Sequence, residues 1–241
     1  MRFTYESYRQ LLRLLKKHKY VVADYESYKN ETMVAILRHD IDTSISKAIE
    51  FARIEFEEGV SGTYFVLLNT DFYNVNATKS LEELKQLQKY GAKIGLHFDE
   101  TKYGDVDSNT MSEFILKEKN ILELSLGTPI NVVSMHRPSK KSLEANYEIP
   151  GMINSYSTEF FEQFKYVSDS RRTWREDVES IVETEEFNKL HILTHAFWYD
   201  ECEKSASECL IDFIKNAGKE RYLSLSKNVR DLSEFVNKNE I

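Results

Sequence analysis

The sequence predicts an α/β fold: a mainly parallel sheet, closed or open, with helices outside it. Three observations point there. Short apolar runs alternate with amphipathic stripes along most of the 241 residues, the pattern of strand–helix repeats. The length suits one large domain over residues 1–241, because single α/β barrels run about 200 to 250 residues. Asp40, Asp42, His97, His136, Asp169 and His195 each stand at the end of an apparent strand, and in parallel barrels the strand C-termini gather on one rim.

The elements follow in order. Tyr8, Leu11, Leu12 and Leu15 share one stripe, which makes the N-terminal segment an amphipathic helix. Val34-Ala35-Ile36-Leu37 reads as a strand buried on both faces, running into Arg38-His39-Asp40-Ile41-Asp42. Ile45, Ala48, Ile49, Ala52 and Phe56 form the next helix, stopped at Gly59. Gly62 to Leu68 is the second strand; Ser80 with Glu83 reads as a capping box ahead of Leu84, Leu87 and Tyr90, with Gly91 as the stop. Ala92 to Leu96 leads to His97, Met111 to Leu126 is a helix ending at Gly127, and Asn131 to Met135 leads to His136. Phe164 to Val167 leads to Asp169, and Leu190 to Thr194 leads to His195. A helix carrying Leu210, Phe213, Ile214 and Ala217 precedes an expected short strand at Tyr222 to Leu225 and a last helix at Val229 to Val236.

Composition narrows the function. With 41% apolar residues, 14 Phe and 14 Tyr, the chain can build a real core. Only three prolines and eight glycines, and no linker-like run, argue against disordered segments. The net charge of -8 without a basic stripe excludes the usual footprint for nucleic acid or an anionic membrane. No run approaches the roughly 20 apolar residues of a membrane span or the core of a signal peptide, so the expected location is cytoplasmic. Cys202 and Cys209 are expected to be reduced packing thiols.

Alternation along a strand puts Asp40 and Asp42 on one side, roughly 7 Å apart, with His39 and Ile41 facing away. Two such carboxylates need compensation by a cation, an arginine or a proton. The competing reading makes Asp42, with Thr43 or Ser44, a cap for the next helix. Three protein ligands and an open position is the design of a hydrolytic zinc site, and Asp42, His97 and His136 could supply them. Asp40 is then a candidate base, Arg137 a cation able to hold it, and His195 a candidate acid, which together fit metal-assisted hydrolysis.

At these residues the chain resembles the polysaccharide deacetylases, the NodB-homology family. Arg38-His39-Asp40-Ile41-Asp42 is similar to the Arg-His-Asp-Val-Asp first motif of one branch, and Thr63-Tyr64-Phe65 with Asp71-Phe72-Tyr73-Asn74 to its second strand and loop. Lys93-Ile94-Gly95-Leu96-His97 resembles the metal-histidine motif, His136-Arg137-Pro138 the Arg-Pro segment, Ser168-Asp169-Ser170 with Trp174 the aspartate and tryptophan region, and Leu193-Thr194-His195 the final Leu-x-His. The resemblance implies a distorted (β/α) barrel of about seven mainly parallel strands. It implies Asp40 as general base, Asp42 and His97 as ligands of a divalent metal, zinc above others, Arg137 as the orienter of Asp40, and His195 as acid tuned by Asp169. The family commonly carries a second histidine where this chain has Thr101; His136 is the expected replacement, with Asp99 or Glu100 as alternatives.

The implied activity is removal of an N-acetyl group from a sugar or sugar conjugate, in cell-surface polysaccharide synthesis. A backbone N–H just after Pro138 is expected to help hold the oxyanion. A barrel that only binds metal and carbohydrate, and a hydrolase of a non-sugar amide, are the alternatives. Trp174, Phe197, Trp198 and Tyr199 are read either as sugar-stacking groups or as core. His18 reads as a solvated helix-end residue, His191 as core or lower rim, and His39 as either a supporting hydrogen-bond partner or packing.

Overall fold

The structure, a computed structural model, describes residues 1–237. The chain divides into two compact units, Met1–Glu201 and Cys202–Ile241.

In the first unit, α1 (Tyr5–Lys17) starts at Thr4, whose hydroxyl accepts a hydrogen bond from the Ser7 N–H, and it buries the predicted Tyr8, Leu11, Leu12 and Leu15 stripe completely. The sheet is parallel throughout. Its strands are β1 (Val21–Ala23), β2 (Val34–Ile41), β3 (Thr63–Leu67), β4 (Lys93–Phe98), β5 (Val132–Met135), β6 (Ile153–Asn154), β7 (Lys165–Ser168) and β8 (Lys189–Thr194). The order is β6-β5-β4-β3-β2-β8-β7, with β1 also paired to β2. The sheet curls, but its path ends at β6 and β7, so it is a half-barrel flanked by helices, in keeping with the distorted barrel expected.

β2 is the centre of this arrangement. All eight of its residues are buried, and it pairs with β8 along one edge while β1 and β3 share the other. Inside the curl, Tyr25, Tyr28, Val34, Ile36, Phe65, Val132, Phe160 and Phe164 form an apolar plug. The larger cluster lies on the other face, against α1, α2 (Ile45–Glu57), α3 (Thr78–Lys89) and α4 (Ser108–Leu126). Val34 and Ile36 belong to the plug, and period-2 alternation then directs Arg38 and Asp40 to the same interior, above it. Shorter helices α5 (Lys140–Ala145), α6 (Thr158–Glu162) and α7 (Val178–Thr184) complete this unit. Gly127, at φ 68°, closes α4 in the left-handed conformation that its position predicts.

Three expectations are corrected. Ser80 does not open a capping box, because α3 begins earlier, at Thr78, after a turn in which the Ala77 N–H bonds the Asn74 carbonyl. In the second unit, Tyr222 to Leu225 is not a strand but the end of α8 (Ala206–Ser226). That helix starts from a genuine capping box, Ser205 with Glu208, and interior Gly218 costs only about 1 kcal/mol, too little to end it. Within Val229 to Val236 only a 3-10 turn forms, at Leu232–Glu234. Among the described residues no helix is long and apolar enough to cross a membrane.

Candidate functional site

The polar groups sit where the strands end. Asp40 lies in the last part of β2 and Asp42 one residue beyond it; His97 lies near the end of β4, and His136 follows β5 directly. The His136 N–H extends the β4–β5 ladder by bonding the Phe98 carbonyl at 2.7 Å. Register therefore brings the two histidines together. Ser44, not Asp42, occupies the N-cap position of α2, so Asp42 is not consumed as a cap.

Asp42 Oδ1 stands 3.3 Å from His97 Nε2 and 3.3 Å from His136 Nδ1, and those nitrogens are 3.1 Å apart. Asp42 Oδ1 is buried yet receives no properly directed hydrogen bond. Ligands bonded at about 2.0 to 2.1 Å to a tetrahedral ion stand roughly 3.3 Å from one another. Three donor atoms at these separations form a face that can hold a divalent cation. The tautomer agrees: His97 Nδ1 lies 3.2 Å from the Ser134 carbonyl, which can only accept, so Nδ1 carries the proton and Nε2 offers its lone pair.

The alternative ligands are committed elsewhere. Asp99 accepts from the Thr101 N–H at 3.0 Å and its hydroxyl at 2.7 Å. Glu100 is buried and accepts from the Ser139 N–H and the Ser142 hydroxyl. The Ser139 bond also corrects an expectation: the backbone N–H after Pro138 is taken by Glu100 and is not free for an oxyanion.

Asp40 is held by an arginine, but it is Arg38 and not Arg137. Arg38 Nε donates to Oδ1 at 2.9 Å and Nη2 to Oδ2 at 2.7 Å, a fork-to-fork pair with the guanidinium fully buried. The Tyr156 ring lies 4.7 Å from that guanidinium and fixes its plane. Arg137 is exposed, with backbone φ 49°, and makes no ion pair with Asp40. The reason is geometric: residues two apart on a strand share a face, so Arg38 is the natural partner of Asp40. That spacing was the signal in the sequence. Burial pushes Asp40 up and Arg38 pulls it down further, leaving it below its ordinary value. Its Oδ2 lies 3.6 Å from His97 Nε2, directly beside the three-donor face.

Across the mouth, His195 Nδ1 bonds Asp169 Oδ1 at 2.6 Å, and the His195 backbone N–H is within 3.1 Å of both Asp169 oxygens. Tyr199 donates its hydroxyl to Asp169 Oδ2 at 3.1 Å. Burial lowers the His195 pKa, but the Asp169 charge and hydrogen bond prevail and raise it to about 9. The imidazole is thus cationic at neutral pH, and its charge acts on both Asp40 and Asp42.

The remaining candidates fall into place. His191 is buried and bonds the Tyr25 hydroxyl at 2.7 Å, below the site, where burial lowers its pKa to about 3. His18 caps α1 and pairs with Glu185 at 2.8 Å. His39 is a hydrogen-bonding residue on the outer face of β2. Tyr199 is core, and Trp174 and Trp198 are partly buried against it.

No family model matches the chain, and no curated protein does. Among solved structures it is similar to a Streptococcus pyogenes deacetylase, PplD, in complex with acetate, at 15% identity and TM-score 0.45 over 58% of this chain. The chain spans 66% of that protein's length, just under two thirds. It is also similar to the chitin deacetylase of Colletotrichum lindemuthianum (15% identity, TM-score 0.47, 76% of this chain and 81% of that one). A third likeness is to BA3943 of Bacillus anthracis, a CE4 family pseudoenzyme (14% identity, TM-score 0.43, 79% and 62%).

Proposed function

We propose that this chain is a metal-dependent hydrolase that removes the N-acetyl group from a sugar or sugar conjugate. The observation that carries the reading is the convergence of Asp42, His97 and His136 on one point between an arginine-held carboxylate and a carboxylate-held imidazole. A divalent ion of zinc type, bound by those three residues, would polarise the amide carbonyl and acidify a water.

The chain's own groups supply the proton transfers. Asp40, kept ionised and oriented by Arg38, takes the proton of the attacking water. The C–N bond of the tetrahedral adduct then breaks, and His195, kept protonated by Asp169, gives its proton to the departing amine nitrogen. Acetate and the free amine are the products. Each transfer of this kind is worth about 10² to 10⁴ in rate. Arg38 and Asp169 have parallel duties: each fixes the protonation state of the group in front of it.

The test is acetate release from N-acetylglucosamine oligomers and from N-acetylglucosamine 1-phosphate by metal-loaded protein, wild type and Asp40→Asn. Turnover abolished in the variant with sugar binding retained supports the reading. Sugar binding without acetate release by wild type replaces it with a carbohydrate-binding barrel.

A further inference from the structure

The outer face of β2 carries a second polar cluster, sealed from the site. His39 Nε2 lies 2.6 Å from Glu55 Oε1, and since a carboxylate only accepts, the imidazole N–H donates there. The Tyr8 hydroxyl donates to the same oxygen at 2.5 Å, and the Gly62 N–H donates to Oε2 at 2.9 Å. His39 Nδ1 pairs with Thr194 Oγ1 at 2.6 Å. Tyr8, His39, Glu55 and Thr194 are all at most 1% exposed. The cluster ties α1, α2, β2 and β8 together at one level of the sheet, with Gly62, the residue before β3, bonded to it.

That level is the one behind the chemistry. His39 and Thr194 are register partners across β2 and β8, and the next residue in each strand direction is Asp40 or His195. Gly62 shows how tightly this is built: a Cβ there would come within 2.5 Å of His39 Nε2 and 2.9 Å of Glu55 Oε1. Stability alone does not account for such a cluster, because well-packed apolar side chains in place of buried polar and charged groups are often neutral or stabilising. Fixed placement of two strand ends does account for it.

We infer that Glu55, His39 and Thr194 form a positioning clamp that sets Asp40 and His195 from the far side of the sheet. Glu55 fixes His39 in one orientation, His39 holds Thr194, and the two strand ends advance their next side chains into the mouth at a set separation. None of the three touches substrate. The inference rests on the deacetylase reading for its rate effects but not for its effect on His195 itself.

The experiment uses the metal-loaded chain with Thr194→Val, which keeps shape and removes the hydroxyl, Thr194→Ser, which restores it, and Gly62→Ala, which pushes on the clamp from the residue before β3. Thr194→Val and Gly62→Ala are expected to lower kcat at least about tenfold with KM unchanged, as for small misplacements of reacting groups. Thr194→Ser should recover the loss. In a His195→Ala background Thr194→Val should cost less than it does in the wild-type background, because coupled residues are not additive. The proton bridging His195 and Asp169, followed by NMR, should shift in Thr194→Val, which needs no turnover. A wild-type NMR signal with kcat unchanged in both variants, or a Thr194→Val loss undiminished in His195→Ala, overturns the clamp. If wild type releases no acetate, the hydrolase reading fails, and the NMR signal alone decides the clamp.

Discussion

β2 carries two buried polar pairs back to back, Arg38 with Asp40 and His39 with Glu55, and they are built differently. On the inner face Arg38 occupies both oxygens of Asp40, yet Oδ2 still lies 3.6 Å from His97 and the carboxylate borders the three-donor face. On the outer face Glu55 is closed by Tyr8, His39 and Gly62, with no path to the site. The inner pair holds one charge ready while leaving it reachable, and the outer pair spends its hydrogen bonds on geometry. Adjacent residues of one strand thus divide chemistry from placement by the alternation of the backbone.

The largest effect should come from the inner face. Asp40→Asn is expected to cost about 10² to 10⁴ in turnover while metal content stays at the wild-type level, read by acetate release and elemental analysis. Arg38→Met should follow, leaving a buried carboxylate without its cation at a cost of about 3–5 kcal/mol in urea unfolding. Stability of that variant within about 0.5 kcal/mol of wild type would break the contrast between the two faces.

His195 gives the contrast a pH axis. Its folded pKa of about 9 lies above the ordinary 6.5, so its contribution to stability is complete below about 6.5 and is lost as pH rises through about 9. Turnover should fall over the upper part of that range, and the limb should vanish in His195→Ala. An ion bound at Asp42, His97 and His136 would add a positive charge nearby, so the His195 pKa, followed by NMR, should lie lower in metal-loaded protein than the value of about 9 of the metal-free chain. The smallest effect belongs to Arg137→Ala: a rim residue that does not hold Asp40 should change stability by at most about 0.5 kcal/mol.

Much of this was legible in the sequence, because long apolar runs announce themselves. β2, β4, β5 and β8 end close to where their patterns predict, and that placement alone put Asp42, His97 and His136 at one mouth. β1 and β6, with three and two residues, are too short to show a period. Arg38 was visible through its two-residue spacing from Asp40, but Arg137, beside the candidate ligand His136, drew attention instead. Glu55 was not visible at all. An acid on an amphipathic helix reads as solvated surface, and only the fold reveals that it lies under Tyr8 against His39.

The most direct test of the site is the metal content of the purified chain, wild type beside His136→Ala, His97→Ala and Thr101→Ala. The account predicts a near-stoichiometric divalent ion in wild type and Thr101→Ala and its loss in both histidine variants. Metal retained in His136→Ala would contradict the three-donor site on which the proposed chemistry rests.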